Sequence, residues 1–380
     1  MNLRAEELRD MGNPHWVDVL PAGEFLGLAD KTVLHSGPPI AFEKMCRGHR
    51  RSMVNACFLE GWAKTEAEAV KLLESGEVKC EAASDYATDG SGYGIITKSV
   101  PLLVVEDRDY GSRAGLFPHE GRFGGGFTGW GVYSEEIAEN LKWIGTTLFA
   151  ELVPVLKDAG GFPMRDLFAE ARRMGDELHS CQKAIDALFT RAIIPYVLKC
   201  RNAADLLAYF AETPRFTHNF GQASSRALLL GLEAKGERGF LTAAGGNGVE
   251  YGIKFAGSDK WYVAPSPMIE GPYLVAGAKR ENQLPWIGDS SITECRGWGG
   301  QIRAVNPEFE LRREAQRKRG EAPRGAAETG GSCFRGALAP AETPPVINGG
   351  MMDVNGGWMG AGSTAIPQAC FDQARLDGFC

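Results

Sequence analysis

The spacing of apolar positions divides the chain into three stretches. Short apolar runs at 16–20 and 102–106 have the length and composition of strands. Thr65-Glu-Ala-Glu68 is a capping box ahead of Ala69, Val70, Leu72 and Leu73, and predicts a helix over 65–75 closed by Gly76. Ser134 opens a second helix, with Ile137, Leu141, Ile144, Leu148 and Leu152 at helical spacing. Pro154 should kink or shorten it. From 164 to 232 the pattern is almost wholly helical, with interruptions expected near Pro195 and Pro214. Strand-like alternation and glycine turns return at 239–242, 251–255 and 261–264. This order predicts an α+β chain: an N-terminal α/β part at 1–133, a helical subdomain at 134–235 and a C-terminal α/β part at 236–380. Asn306-Pro307 starts a short charged helix ending at Arg319, followed by a polar connector at 321–332.

Composition narrows the class. The 380 residues, 44% of them hydrophobic, suffice for one large core or two ordinary ones. A net charge of −7 without a basic stripe removes the electrostatic footprint of a nucleic-acid binder. No apolar run approaches the ~20 residues that cross a bilayer, and the charged start lacks a secretory signal. Nine scattered cysteines, none in Cys-x-x-Cys spacing, fit reduced thiols in a cytoplasmic protein. The 49 glycines are nearly double the usual ~7%. Their clusters at 90–94, 121–131, 245–252, 297–300 and 349–362 suggest loops gathered around a site, although hairpin turns also use such residues.

The candidate chemistry starts from the helical stretch. Asp176, Glu177 and His179 crowd polar groups into an amphipathic pattern, and buried carboxylates need partners. A solvated helix face and a wet site both satisfy that requirement. On a helix Asp176 and His179 share a face, so His179 is the candidate proton carrier, with Asp176 beside it and Glu177 orienting a neighbouring group. Arg108 and Arg113 follow the strand at 102–106, where a guanidinium suits a carboxylate or phosphate. Asn247 and Glu250 stand in a glycine turn with the composition of an anion-binding nest. Asp289, Thr293 and Glu294 precede Gly297-Trp-Gly-Gly300, and fit either a helix cap or a ligand site. His35 lies in a Ser-Gly-Pro-Pro turn, and Asn348 in a third glycine-lined turn. No zinc spacing, dinucleotide fingerprint, Walker loop or nucleophile elbow is present, so neither metal nor cofactor is implied. Such loops favour a small anionic substrate and oriented donors for developing charge.

Seven segments taken in order carry a resemblance: Asn13-Pro-His-Trp-Val-Asp-Val, His35-Ser-Gly-Pro-Pro39, Val105-Glu-Asp-Arg-Asp-Tyr-Gly-Ser-Arg113, Met174-Gly-Asp-Glu-Leu-His179, Gly246-Asn-Gly-Val-Glu-Tyr-Gly252, Gly288-Asp-Ser-Ser-Ile-Thr-Glu294 and Pro345-Val-Ile-Asn348. The chain thereby resembles the YlbE-like family, also called domain-of-unknown-function family 1116. The resemblance implies an oxamate carbamoyltransferase subunit, exchanging a carbamoyl group between oxamate or oxalurate and phosphate without a cofactor. It also implies an oligomeric assembly with an acyl-CoA-synthetase-like protein. The chain departs from the family pattern at His179-Ser-Cys-Gln182, at Ala83-Ser-Asp-Tyr-Ala-Thr-Asp89, which lacks a histidine, and at Phe216-Thr-His-Asn-Phe-Gly221. The charged helix at Asn306–Arg319 and its connector, as docking elements, leave open a non-catalytic structural subunit of that acyl-CoA-synthetase-like partner, and the departures leave open a lyase or hydrolase acting on a related small molecule.

Overall fold

The computed structural model describes residues 5–120, 126–213, 215–303 and 344–379. The charged helix and connector expected between Asn306 and Ser332 lie outside the described residues. The strands in chain order are β1 (Pro14–Pro21), β2 (Thr32–His35), β3 (Lys79–Ala82), β4 (Pro101–Asp107), β5 (Ser112–Leu116) and β6 (Phe162–Pro163). They continue as β7 (Leu241–Asn247), β8 (Glu250–Phe255), β9 (Tyr262–Pro265), β10 (Ile287–Gly288), β11 (Val346–Met352) and β12 (Trp358–Ala365). One antiparallel sheet has the order β5-β4-β1-β6 and another β10-β7-β8-β9, while β2 pairs with β3 in parallel and β11 with β12 as a hairpin. The fold is α+β, as the order of periodicities predicts.

Between the sheets runs the helix Thr217–Ala234, which is buried nearly all round and packs against β4, β5 and β7. Close approach is possible because Gly231 faces Tyr110 and Ser112; a Cβ there would lie 2.4 Å from the Tyr110 Cβ. A helix buried on every face must pair its polar side chains internally. Ser224 and Ser225 donate to carbonyls one turn back, and Arg226 donates to the carbonyls of Thr242, Ser84 and Tyr86.

One hydrophobic core joins both sides of the 133/134 division. Trp16, Leu103, Val105 and Leu116 of the first sheet share it with Phe149, Phe189, Phe210 and Phe220 of the helical stretch. The Trp16 ring lies 5.5 Å from Phe149 and 4.9 Å from Phe220. Such aromatic pairs add about 0.5–1.5 kcal/mol each beyond the area they bury.

Local signals set several boundaries and misplace others. The capping box forms as read: the Thr65 hydroxyl accepts from the Glu68 N–H and the Glu68 carboxylate accepts from the Thr65 N–H. Ser134 caps the helix Glu135–Trp143, which opens into a π-turn at Ile144–Leu148 before a new helix begins at Leu152. Pro154 therefore falls in the first turn of that new helix, where no N–H is required, and the break precedes it. Pro195 likewise sits in the last turn of the helix Lys183–Val197 without interrupting it. The glycines of 349–362 are mostly strand residues of the β11–β12 hairpin rather than a turn pair.

Candidate functional site

The stretch read as helical around Asp176 is a loop between the helices Arg165–Arg173 and Lys183–Val197. Gly175 and Leu178 take positive φ there, at 107° and 65°, so the backbone leaves helical geometry at both. This corrects the expected shared face of Asp176 and His179. The Asp176 carboxylate accepts from the Ile185 N–H, 2.7 Å, capping the following helix, and from the Cys181 thiol. Burial raises its pKa, while those donors pull it down. The Glu177 carboxylate accepts from the N–H groups of Ser180 and Cys181 and from Asn348 Nδ2, and the Glu177 carbonyl accepts from Gly299. Both carboxylates are occupied in shaping the loop, and neither lines the cavity described next.

His179 lies on the wall of that cavity, which holds about 490 Å³ of space between atoms, mouth included. Its ring begins a row: His179 to His218 is 5.5 Å between centroids, His218 to His119 is 6.4 Å and His119 to Trp130 is 6.5 Å, all nearly parallel. Ser91, Gly92, Arg215 and Ser290 complete the polar part of the lining.

Hydrogen bonds fix the tautomers. His179 Nδ1 lies 2.7 Å from the Glu294 carboxylate, so Nδ1 carries a hydrogen toward it and Nε2 is the ring nitrogen outside that bond. Glu294 is itself held by the N–H groups of Gly300 and Asn348 and by the Thr293 hydroxyl. Arg215 donates to Gln182 Oε1, 3.2 Å, which turns the Gln182 amide nitrogen toward His218 Nδ1, 2.7 Å. That nitrogen must accept, so the His218 hydrogen sits on Nε2. Burial, reinforced by the Arg215 charge, holds His119 down to about 3 and His218 well below the usual histidine range, so both rings are neutral. The His119 Nε2 is buried with no partner among the described residues.

Arg215 has φ +62°, a conformation that costs a non-glycine residue of order 1–3 kcal/mol. Its backbone is held there by the Asp186 carboxylate, which accepts from the N–H groups of Arg215 and Thr217. The guanidinium donates to the His179 carbonyl, 2.7 Å, and so joins the loop to the central helix.

The other expected site residues fall elsewhere. Arg113 is an exposed residue of β5 paired with Glu106, and Arg108 is exposed and donates to the Gly160 carbonyl, so neither lines the cavity. Asn247 fills its own nest: its Oδ1 accepts from the N–H groups of Val249 and Glu250, leaving those donors closed to an anion. Glu250 is half-buried at the start of β8. Asp289 clamps two glycine loops, accepting from Gly37 N–H at 2.6 Å and Gly90 N–H at 2.8 Å. A side chain at Gly37 would place its Cβ 2.4 Å from the Asn247 nitrogen, so the clamp requires glycine there. Burial and the neighbouring Asp89 carboxylate push Asp289 up to about 8, and Asp89 itself is pushed up to about 6. His35 ends β2, fully buried, with Nδ1 on the Ser36 carbonyl and Nε2 without a partner among the described residues. Asn348 is buried on β11, where its Oδ1 has no partner among the described residues.

Sequence reading missed Arg215, His218, Gln182 and His119. A signal existed for His218: polar residues at 217–219 and 222 stand among apolar ones at the start of a helix buried nearly all round. Among the described residues no group of histidines, cysteines and acids is arranged to hold a metal ion, and no helix is long and apolar enough to cross a membrane.

The architecture is one already seen in a crystal structure. A conserved protein of unknown function from Enterococcus faecalis V583 superimposes with a TM-score of 0.82, covering 99% of this chain and 96% of that one at 22% identity. The family described as oxamate carbamoyltransferase subunit AllG matches residues 78–290. Oxamate carbamoyltransferase subunit AllG of Escherichia coli strain K12 is 30% identical over 401 residues, covering 97% of this chain and 94% of that protein. The uncharacterized protein YahG of the same strain is 28% identical, over 93% of this chain and 80% of its own length. The chain belongs to the AllG family of oxamate carbamoyltransferase subunits, which bears out the resemblance drawn from its ordered segments.

Proposed function

We propose that this chain is a subunit of a carbamoyltransferase complex, and that its histidine-lined cavity moves a carbamoyl group between an oxamate-type amide and phosphate. The observation that carries this reading is that His179, oriented through Glu294, and Arg215 line one cavity of an AllG-family chain.

In the direction of oxalurate formation, the amide nitrogen of oxamate attacks the carbonyl carbon of carbamoyl phosphate. The N–C bond forms, the C–O bond to phosphorus breaks, and phosphate leaves with the electron pair. His179 Nε2 takes the proton released from the nitrogen, and returns it when phosphate attacks in the reverse direction. The Glu294 carboxylate holds the ring in the required tautomer and stabilises the imidazolium that forms, the role an acceptor plays behind a general base. Arg215 holds the substrate carboxylate. His218 Nε2–H is a neutral donor for the oxygen on which negative charge grows. The relative's name, a subunit, supports an assembly with other chains, among them the acyl-CoA-synthetase-like partner that the resemblance implies.

Incubation of the chain, alone and with the subunits that co-purify, with carbamoyl phosphate and oxamate should release phosphate in proportion to oxamate. Release that is absent under every combination would overturn this substrate pair.

A further inference from the structure

Besides the histidines and Arg215, the cavity wall carries two serines from neighbouring loops. Ser91 follows Gly90 and Ser290 follows Asp289, and the loops are joined there, the Asp289 N–H donating to the Gly90 carbonyl at 2.7 Å. Both serines line the cavity and are more than nine-tenths buried, at 7% and 9% exposure. Ser91 Oγ accepts from Gln222 Nε2 at 3.1 Å, so its own hydrogen is left to donate and meets no acceptor among the described residues. The Ser290 carbonyl takes the Thr293 hydroxyl, but the Ser290 hydroxyl makes no hydrogen bond among those residues. Gly92, also in the lining, has an N–H without an acceptor among them. A Cβ on Gly288 would lie 2.9 Å from the Gly92 nitrogen, so this amide borders the segment that carries Ser290. Two hydroxyls and one N–H therefore remain open on a cavity whose described lining includes no carboxylate.

We propose that Ser91, Gly92 and Ser290 form a phosphoryl-binding subsite, which holds the phosphate of the carbamoyl donor while Arg215 holds the carboxylate of the acceptor. The inference rests on the reading of the cavity given above, and adds to it which part of the wall takes the phosphate. A buried donor without an acceptor is unfavourable, and an oxyanion can satisfy several such donors at once. The planar fork of Arg215 matches a planar carboxylate, whereas separate donors on two loops suit the tetrahedral oxygens of a phosphoryl group. Neutral donors also stabilise the charge that grows on the departing phosphate oxygen without any change in their own protonation.

Inorganic phosphate is the probe. Calorimetric titration of the full chain, with any co-purifying subunits, should show phosphate binding that Ser290→Ala and Ser91→Ala each weaken by about tenfold, the equivalent of one hydrogen bond to a charged group. Ser290→Thr keeps the hydroxyl and should keep the binding. In turnover, both alanine variants should raise KM for carbamoyl phosphate and leave KM for oxamate unchanged, the opposite of Arg215→Lys. Folded alanine variants that bind phosphate as the wild type does, or that raise both KM values equally, would overturn the subsite and leave the carbamoyl-transfer reading in place. Phosphate binding that weakens in both alanine variants, with no turnover of carbamoyl phosphate and oxamate by the wild type, would uphold the subsite and overturn that reading. A wild type that neither binds phosphate nor turns over the pair, alone or in complex, would overturn both.

Discussion

Two buried polar regions lie within this chain, and they are built on opposite terms. Around Asp289 most polar bonds go to the main chain: its two oxygens take N–H groups from the Gly37 and Gly90 loops, and Arg226 ties Thr242, Ser84 and Tyr86 together, with Asp89 Oδ2 and Arg226 Nε left over among the described residues. Around His179 the inner atoms are equally well held, by Glu294 and Gln182, but His119 Nε2 and Gln222 Oε1 are left without partners among the described residues. Buried polarity that closes on itself fixes an architecture, because desolvation is offset by internal bonds. Buried polarity left open carries a free-energy cost that a ligand can relieve. The two regions differ in access: His119, His179 and His218 line a cavity, and Asp89 and Asp289 do not.

The sharpest way to break this contrast is to exchange one group from each region. His179→Gln keeps a hydrogen-bonding side chain but removes titration, so kcat should fall by roughly 10²–10⁴ while the melting temperature stays near wild type. Intact activity per folded molecule with a lowered melting temperature would make the histidine row scaffolding as well. Arg215→Lys should raise KM for the anionic substrate by an amount equivalent to about 1.5–3 kcal/mol. Retention of the wild-type KM would remove Arg215 from substrate contact.

Asp289→Asn should do the reverse of His179→Gln. It sets an amide N–H₂ against one of the two glycine N–H groups, costing about 1–3 kcal/mol of stability, with kcat per folded molecule unchanged. The pH dependence of stability separates the regions further. Asp289 is raised in the folded chain to about 8 from 3.8, so the native state binds the extra proton between those values. Its contribution is complete below about 4 and is lost as pH rises through about 8. His119 is lowered to about 3 from 6.5, so there the unfolded chain binds the extra proton, and its contribution is complete above about 6.5 and lost as pH falls toward 3. Denaturant melts across this range should therefore lose their alkaline-side decline in Asp289→Asn and their acid-side decline in His119→Gln; unchanged slopes would refute the opposed titrations.

The smallest effect is expected at the surface. Arg113 is 57% exposed and paired with Glu106, and such pairs contribute about 0–1 kcal/mol. Arg113→Lys should leave KM, kcat and melting temperature within error, and a raised KM would return the anion site to β5.

Local chemistry made much of the chain legible. The Thr65–Glu68 box, the Ser134 cap and the strands at β1, β4, β8 and β9 were readable because each depends on residues within a few positions of one another. The ordered segments carried the family, since order along the chain survives when single positions change. The loop at Met174–Gln182 was not legible. Its apolar spacing is that of a helix, but the backbone turns out of it at Gly175 and Leu178, where Asp176 and Glu177 bond main-chain groups instead of facing His179.

What the sequence determined by itself was the α+β order, the local caps, the family and the presence of His179, Glu294 and Asn348 somewhere in a polar setting. Only the tertiary structure decided which of these meet. His179 lies 115 positions from Glu294, and Gln222 lies 131 from Ser91. Periodicity reports which face of an element is apolar, and carries no term for what lies across a packed interface. The partners of a buried polar group are chosen there, because desolvation makes every such group seek a neighbour regardless of its distance along the chain.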